Sequence, residues 1–392
     1  MGFQKMVLQN MLLLSLLVYF SNYGVEGRKE TKEDLELERQ LKLLNKPAIK
    51  IIQTEHGIYD CVDINKQPAF DSPLLRDHKV QMQPTSPQLL SPSKDATGLR
   101  SEDIELKDGG CPMGTVPIRR TTKEELIKSK DLFPIIKGLS SAEQKTTQLA
   151  FVAVTGEGGY YGTEFSLNTW NPPVKRSVLT FSSMNAAAQY RMTEIVQAGW
   201  LVYPDYYGDN ETHLYILWSA TGPGGCLNLQ CPGFVHVNPA LPLGDILKPY
   251  SIAQTQHFDM KFRISMDMQT EDWWLLLGAD NKQVGYWPRS LFSHLSSVTG
   301  ATLLSWAGLA GTLPKQYFPP IGSGHYAEDG IGMACYFKNV LFMDGLGVYR
   351  KMDEHFMFSR VDSNLYSVTY DNFKGDWGWT LFIGGPGGRL HE

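Results

Sequence analysis

The 392-residue chain has no block of basic residues: 36 Lys and Arg stand against 41 Asp and Glu, for a formal charge of −5. That balance removes the electrostatic footprint expected of a nucleic-acid binder. No apolar run reaches the ~20 residues that a bilayer-spanning helix needs. There is no His-Glu-x-x-His and no glycine-rich phosphate loop, and the nine His are scattered. No Ser/His/Asp or Cys/His set stands out, and no cofactor is expected. Cysteine is sparse at five. Beside Cys226 and Cys231 no second Cys or His pair lies at ligand spacing, so zinc is the weaker reading of that pair and no metal is expected.

What is present begins at the N-terminus. Lys5 precedes the apolar run Met11–Phe20, and Ser21, Gly24 and Gly27 come after it. A positive start, a short apolar stretch and a small-residue exit predict a signal peptide over residues 1–27, with a signal-anchor as the rival. Export implies an oxidising compartment, where cysteines pair. Cys226 and Cys231 then read as a local disulfide, Cys61 pairs with Cys111 by default, and Cys335 is left as a small buried hydrophobe. Asn210-Glu-Thr212 is a glycosylation acceptor in a turn. The expected location is extracellular or cell wall, with the vacuole as an alternative.

Residues 31–45 place Leu37, Leu41 and Leu44 on one stripe at helical spacing. Pro84, Pro87 and Pro92 mark a linker. Thr122-Lys-Glu-Glu has the capping-box pattern, so a second helix is expected there, closed near Pro134. From about Gln148 the texture changes to short apolar or alternating runs between turns rich in Gly, Pro, Asn and Asp. The runs are Ala150–Thr155, Thr163–Leu167, Trp200–Tyr203, His213–Trp218, Asp259–Met266, Trp273–Leu277 and Trp379–Ile383. Spacing of this kind predicts an all-β sandwich or barrel, with Trp and Tyr mostly as core.

Several longer strings carry a resemblance. The front segment contains Tyr59-Asp-Cys-Val-Asp-Ile-Asn-Lys-Gln-Pro-Ala-Phe70, Pro73-Leu-Leu and Cys111-Pro-Met-Gly-Thr-Val-Pro-Ile-Arg-Arg120. The rear contains Gln197-Ala-Gly-Trp-Leu-Val-Tyr-Pro204, Cys231-Pro-Gly-Phe-Val235, Val284-Gly-Tyr-Trp-Pro288, Gly322-Ser-Gly-His325 and Gly384-Gly-Pro386. In this order they resemble the neprosin family, plant secreted glutamic peptidases that cleave after proline. The resemblance implies a two-layer antiparallel β-sandwich over residues 145–392. It also implies an activation peptide over residues 28–140, with short helices.

The resemblance further implies two glutamates that share a water, one as base and one as acid, since a shared site separates their pKa values. On the family pattern the first glutamate position holds Gln197, and the second, after Ser305-Trp-Ala-Gly, holds Leu309. An amide has no useful basicity, and Leu309 has no polar atom. The family's Gln-Ile-Trp string is also missing at Phe181-Ser-Ser-Met-Asn185. Glu194, three positions before Gln197, is expected on the opposite face of its strand. Glu328, Asp329, Asp205 and Glu211 are expected as loop or turn charges. Trp200, Trp306 and His325 are the remaining cleft candidates, with His325 expected in a structural or positioning role.

Three functions are therefore expected in order. The first is a catalytically impaired homologue that keeps a peptide-binding cleft, with proline-rich peptide or another extracellular protein as partner. The second is an active endopeptidase with relocated carboxylates. The third is an extracellular module that binds cell-wall polymer through exposed Trp rows.

Overall fold

The computed structural model describes residues 31–86, 98–136, 146–191, 193–220 and 225–390. The expected signal peptide, Pro87, Pro92 and the residues between the two expected parts, 141–144, lie outside them. Residues up to Gln40 belong to a separate unit, and those from Leu41 onward form one compact unit.

Helix α1 spans Lys32–Leu44. Thr31 and Asp34 cap it reciprocally, the Asp34 N–H reaching Thr31 Oγ1 at 3.1 Å and the Thr31 N–H reaching Asp34 Oδ2 at 3.2 Å. Next in the chain is a three-stranded antiparallel sheet of β1 (Lys50–Thr54), β2 (Gly57–Asp63) and β3 (Thr115–Arg119). The Cys61–Cys111 disulfide ties this sheet to the turn before β3. Helix α2 spans Lys123–Ile136. Its capping box is formed, with Thr122 N–H to Glu125 Oε2 at 2.9 Å and Glu125 N–H to Thr122 Oγ1 at 3.2 Å. It runs two residues past Pro134, where the expectation was a stop. A proline removes one donor, and near the last turn that loss does not end the helix.

The β-rich part begins with β4 (Thr147–Tyr160), β5 (Gly162–Asn168), β6 (Phe181–Tyr190) and β7 (Glu194–Val202). A single turn α3 (Pro204–Tyr207) leads to β8 (His213–Ser219), β9 (Cys226–Leu227) and β10 (Val235–His236). Then come β11 (Asp259–Met266), β12 (Trp273–Leu277), β13 (Lys282–Trp287) and β14 (Ala301–Gly311). The chain ends with β15 (Tyr336–Met343), β16 (Tyr349–Lys351), β17 (Met357–Val361), β18 (Ser367–Asn372) and β19 (Trp379–Gly384).

Among the described residues these strands form two antiparallel sheets that pack face to face as a two-layer β-sandwich. One has seven strands in the order β17-β4-β14-β6-β7-β8-β9. The other runs β10-β13-β12-β11-β5-β15-β19-β18, with β16 on β15. Alternation sends successive side chains to opposite faces. Val196, Ala198, Trp200, Met184, Ala186, Leu304 and Trp306 of the first sheet therefore meet Phe165, Phe262, Ile264 and Ile383 of the second in one core. Gly308 is required there, because a Cβ would stand 2.3 Å from Ile321 Cγ2.

The front segment is built into the same core. Val62, Ile64, Leu75, Leu99, Val116 and Ile118 belong to that apolar cluster. The Gln67 amide bonds the backbone of His236 in both directions, at 2.8 and 3.0 Å. A strap then crosses the outside of β11–β13: His78 meets the Tyr286 hydroxyl at 2.7 Å and the Gln81 amide meets Asp272 at 2.8 Å. Farther along, Ser86 bonds Asp267 at 2.6 Å and the Leu99 N–H bonds the Asp259 carbonyl at 2.8 Å.

Candidate functional site

Gln197 lies on β7 facing away from the sandwich core. Register fixes what lies level with it: Leu217 on β8, Ala187 on β6, Ser305 on β14, Ala153 on β4 and Phe358 on β17. The next row inward holds Tyr215, Gly199, Asn185, Ala307 and Phe151, and the one after it His213, Leu201, Ser183, Leu309 and Leu149. Gly199 lets β6 and β7 approach, since a Cβ there would stand 2.0 Å from the Met184 carbonyl oxygen.

Gln197 and Leu309 thus share a face but not a row, which corrects the expectation that they are the two halves of one site. They are two strands apart, about 10 Å, and four residues apart along the strands, about 13 Å. The residue opposite Gln197 is Ser305, with only the methyl group of Ala187 between them. Two long side chains at 197 and 305 could lean together over that alanine; a pair at 197 and 309 could not. Leu309 instead joins an apolar cluster with Phe181, Leu201, Tyr203, Tyr206 and Tyr215.

Both facing residues are already occupied. The Gln197 amide donates to the Tyr215 hydroxyl at 2.7 Å, and the Gln189 amide donates to Ser305 Oγ at 3.1 Å. Burial pushes the Tyr215 phenol up to about 12, so it stays protonated at working pH and is no base. In the three rows from Gln197 to Leu309, the side chains of β4, β6, β7, β8 and β14 include no carboxylate. By register, Asp362 lies level with Leu309 but two strands away, one residue past β17. One of its oxygens accepts the Leu149 N–H at 3.1 Å and the other pairs with Arg360 at 3.1 Å.

The other candidates lie elsewhere. Glu194 is fully buried on the opposite face. Its carboxylate accepts the N–H groups of Ser293, His294 and Leu295 at 2.8, 2.9 and 2.6 Å. Trp200 and Trp306 are corrected as cleft residues, because both alternate into the core and neither is exposed at all. The Trp200 indole N–H is spent on the Asn168 carbonyl at 3.0 Å. His325 sits in a loop beside β19 of the other sheet, its Nδ1 3.4 Å from Asp329, so it is not part of the Gln197 row. Glu328 accepts from Ser367 at 2.5 Å. Asp205 and Glu211 are less free than expected: Lys128 reaches Asp205 at 3.1 Å and Lys248 reaches Glu211 at 2.9 Å. Asn210 is exposed in its turn. Cys226 and Cys231 are bonded, and Cys335 is a buried free thiol.

Sequence reasoning missed Ser305, Gln189 and Tyr215. Strand order is what joins them to Gln197, and no local pattern encodes it. The helix α2 packs against α3, beyond the Leu309 end of the face, and against β9, whose Leu227 pairs with Leu217 in the Gln197 row. Glu125 of α2 pairs with Arg119, which lies 5.5 Å over the Tyr207 ring.

The chain matches known proteins over most of its length. Residues 177–386 match the family described as Neprosin, and residues 51–157 match the one described as Neprosin activation peptide. The second match runs into β4, beyond residue 140. A solved Scytalido-glutamic peptidase, bound to a peptide-based transition-state analogue, is 11% identical with a TM-score of 0.35. The match covers 61% of this chain and 98% of that one. SCP-B, a member of the Eqolisin family of peptidases bound to the tripeptide Ala-Ile-His, is covered to the same extents at 10% identity and TM-score 0.34.

Proposed function

The chain belongs to the neprosin family, and from that membership we propose that it is a non-hydrolysing member that keeps a peptide-binding face. The observation that carries this is the Gln197 row. Where two carboxylates would share a water, the chain presents an amide bonded to Tyr215 and a hydroxyl bonded to Gln189. General-base attack needs a group that can take a proton near working pH, and none stands in that row.

A relocated acid is disfavoured for the same reason. Glu194 is turned to the other face and saturated by backbone donors, and Asp362 is held by Leu149 and Arg360. The polymer-binding reading loses its premise, because none of the nine Trp, all described, is exposed. The two disulfides and the activation peptide fit a secreted or vacuolar protein; among the described residues no helix is long and apolar enough to cross a membrane. The partner of the face is then a proline-rich peptide or another extracellular protein. The front segment, sharing the sandwich core, is a permanent part of the fold.

The test is incubation of purified protein with proline-containing peptides from acid to neutral pH, with products read by mass spectrometry. No cleavage is expected. Turnover that one carboxylate substitution abolishes would return the protein to the active peptidases.

A further inference from the structure

Four pairs of adjacent basic residues occur in the chain: Arg28-Lys29, Arg119-Arg120, Lys175-Arg176 and Arg350-Lys351. The first lies outside the described residues. Two of the others are locked into sheet. Arg119 ends β3, pairs with Glu125 and lies over the Tyr207 ring. Arg120 beside it holds Asp60 at 2.8 Å, and its N–H donates to the Ile58 carbonyl at 2.8 Å. Arg350 and Lys351 lie in β16 opposite Phe342 and Leu341 of β15, and Arg350 pairs with Asp344 at 2.8 Å.

Lys175-Arg176 is placed differently. It sits in the loop that carries the chain from β5 in one sheet to β6 in the other. Pro172 and Pro173 lie at its start; they lack the N–H that a ladder needs, which keeps the segment out of both sheets. Val174 is buried, and beyond it Lys175, Arg176 and Ser177 are exposed, with Val178 at 54%. Among the described residues neither basic residue makes an ion pair or a hydrogen bond, by side chain or by backbone. The backbone bond nearest to them runs from the Thr180 N–H to the Ser177 carbonyl at 3.1 Å. It closes a turn in which Leu179 takes a φ of 57°, the left-handed region that L side chains resist. Opening this turn therefore meets little resistance.

An endoprotease draws its substrate into the cleft as an extended strand and bonds the backbone. A segment already paired in a sheet must leave it first, whereas an exposed, unpaired loop need not, and nicking concentrates in such loops. Two adjacent cations select an enzyme whose cleft presents carboxylates to both.

We propose that the Lys175-Arg176 loop is a processing site for an endoprotease that reads paired basic residues. Water adds across the Arg176–Ser177 peptide bond, leaving a carboxylate on Arg176 and an ammonium group on Ser177. The products stay together. The piece before the cut supplies β4, between β17 and β14, and β5, between β11 and β15, so each sheet holds one of its strands between strands of the other piece. The result is a two-chain form of the same fold. Its new N-terminus stands two residues before Leu179, which packs against the Leu309 cluster. The inference is independent of the reading of the Gln197 face.

The test is digestion of full-length purified protein with an endoprotease specific for paired basic residues, followed by denaturing gels, N-terminal sequencing and gel filtration. One cut within the described chain is expected, with Ser177 as the new N-terminus. Each disulfide, Cys61–Cys111 and Cys226–Cys231, lies within one piece. The pieces should therefore separate on a denaturing gel without reductant, yet co-elute on gel filtration. Lys175→Gln with Arg176→Gln, both at exposed positions, should slow the cut about tenfold or more, the loss of charge-assisted contacts to the enzyme. Arg350→Gln with Lys351→Gln should leave its rate unchanged. A native loop that stays intact while an unfolded sample is cut after Arg176 would overturn the site, as would a first cut after Arg120 or Lys351. Pieces that part on gel filtration would overturn the two-chain form.

Discussion

The two outer faces of the sandwich treat carboxylates in opposite ways. On the nine-stranded sheet Glu164 is buried between Lys261 at 2.6 Å and Arg263, whose Nε is also at 2.6 Å, and Asp259 pairs with Lys338 at 2.8 Å. Around Gln197, on the seven-stranded sheet, the central strands among the described residues hold amides, hydroxyls and alanines. Acid residues are thus kept where a cation or backbone donor compensates their burial, and are missing where an uncompensated pair would do chemistry. A buried carboxylate without a partner is costly, a cost that amides and hydroxyls around Gln197 avoid.

The comparison is broken most strongly by placing two acids in the Gln197 row. Gln197→Glu combined with Ser305→Glu should create measurable peptide cleavage, on the scale of the 10²–10⁴-fold that acid–base catalysis typically contributes (about 3–5 kcal/mol). Gln197→Glu combined with Leu309→Glu should not, because those positions are four residues out of step. Initial rates on one fluorogenic peptide compare the two; activity in the second pair alone would refute the pairing of 197 with 305.

Next in size is the loss of an acid from the other face. Glu164→Gln leaves Lys261 and Arg263 buried without their shared anion. Breaking a buried pair in this way costs about 3–5 kcal/mol. Urea denaturation should show the midpoint fall, whereas a shift under about 1 kcal/mol would mean that the cluster is supported elsewhere.

How far the sequence foretold these faces depends on the residue. Strands with strong apolar character, such as Trp273–Leu277, are legible because a short unbroken run of aromatic and large aliphatic side chains between turns suits a buried sheet. β6 was not: Phe-Ser-Ser-Met-Asn-Ala-Ala-Ala-Gln-Tyr is poor in such residues, and it becomes a central strand only because it fits between β7 and β14. The orientation of Glu194 came from alternation alone. The same rule would have placed Trp200, three residues from Gln197, on the other face, and Trp306 likewise lies an odd step from Leu309. The pairing of Gln197 with Ser305 needed the register of three strands far apart in the chain, and a slip of four residues in that register separates it from Leu309.

The third prediction concerns the seat of the front segment. Burial drops the His236 imidazole to about 4, with Nδ1 donating to the Val284 carbonyl at 2.8 Å. The unfolded chain, with an ordinary histidine near 6.5, binds the proton more readily between those values. Stability from this group is therefore complete above pH 6.5 and declines as pH falls toward 4, by up to about 3 kcal/mol. Melting curves across that window should steepen in pH for the natural protein and flatten for His236→Gln. A natural protein whose midpoint is level from pH 6.5 to 4 would contradict the assignment.

The smallest effect is expected at the site itself. Gln197→Ala removes one amide–phenol hydrogen bond to Tyr215, a net contribution of about 1 kcal/mol. Compared with Glu164→Gln in the same urea titration, it should shift the midpoint several times less. Because Tyr215 would be left buried with one partner fewer, Gln197→Ala with Tyr215→Phe should cost less than the sum of the two single changes, the signature of a shared bond. Strict additivity would mean that Gln197 holds no structural place on the face. Its retention there would then have to come from whatever binds across it.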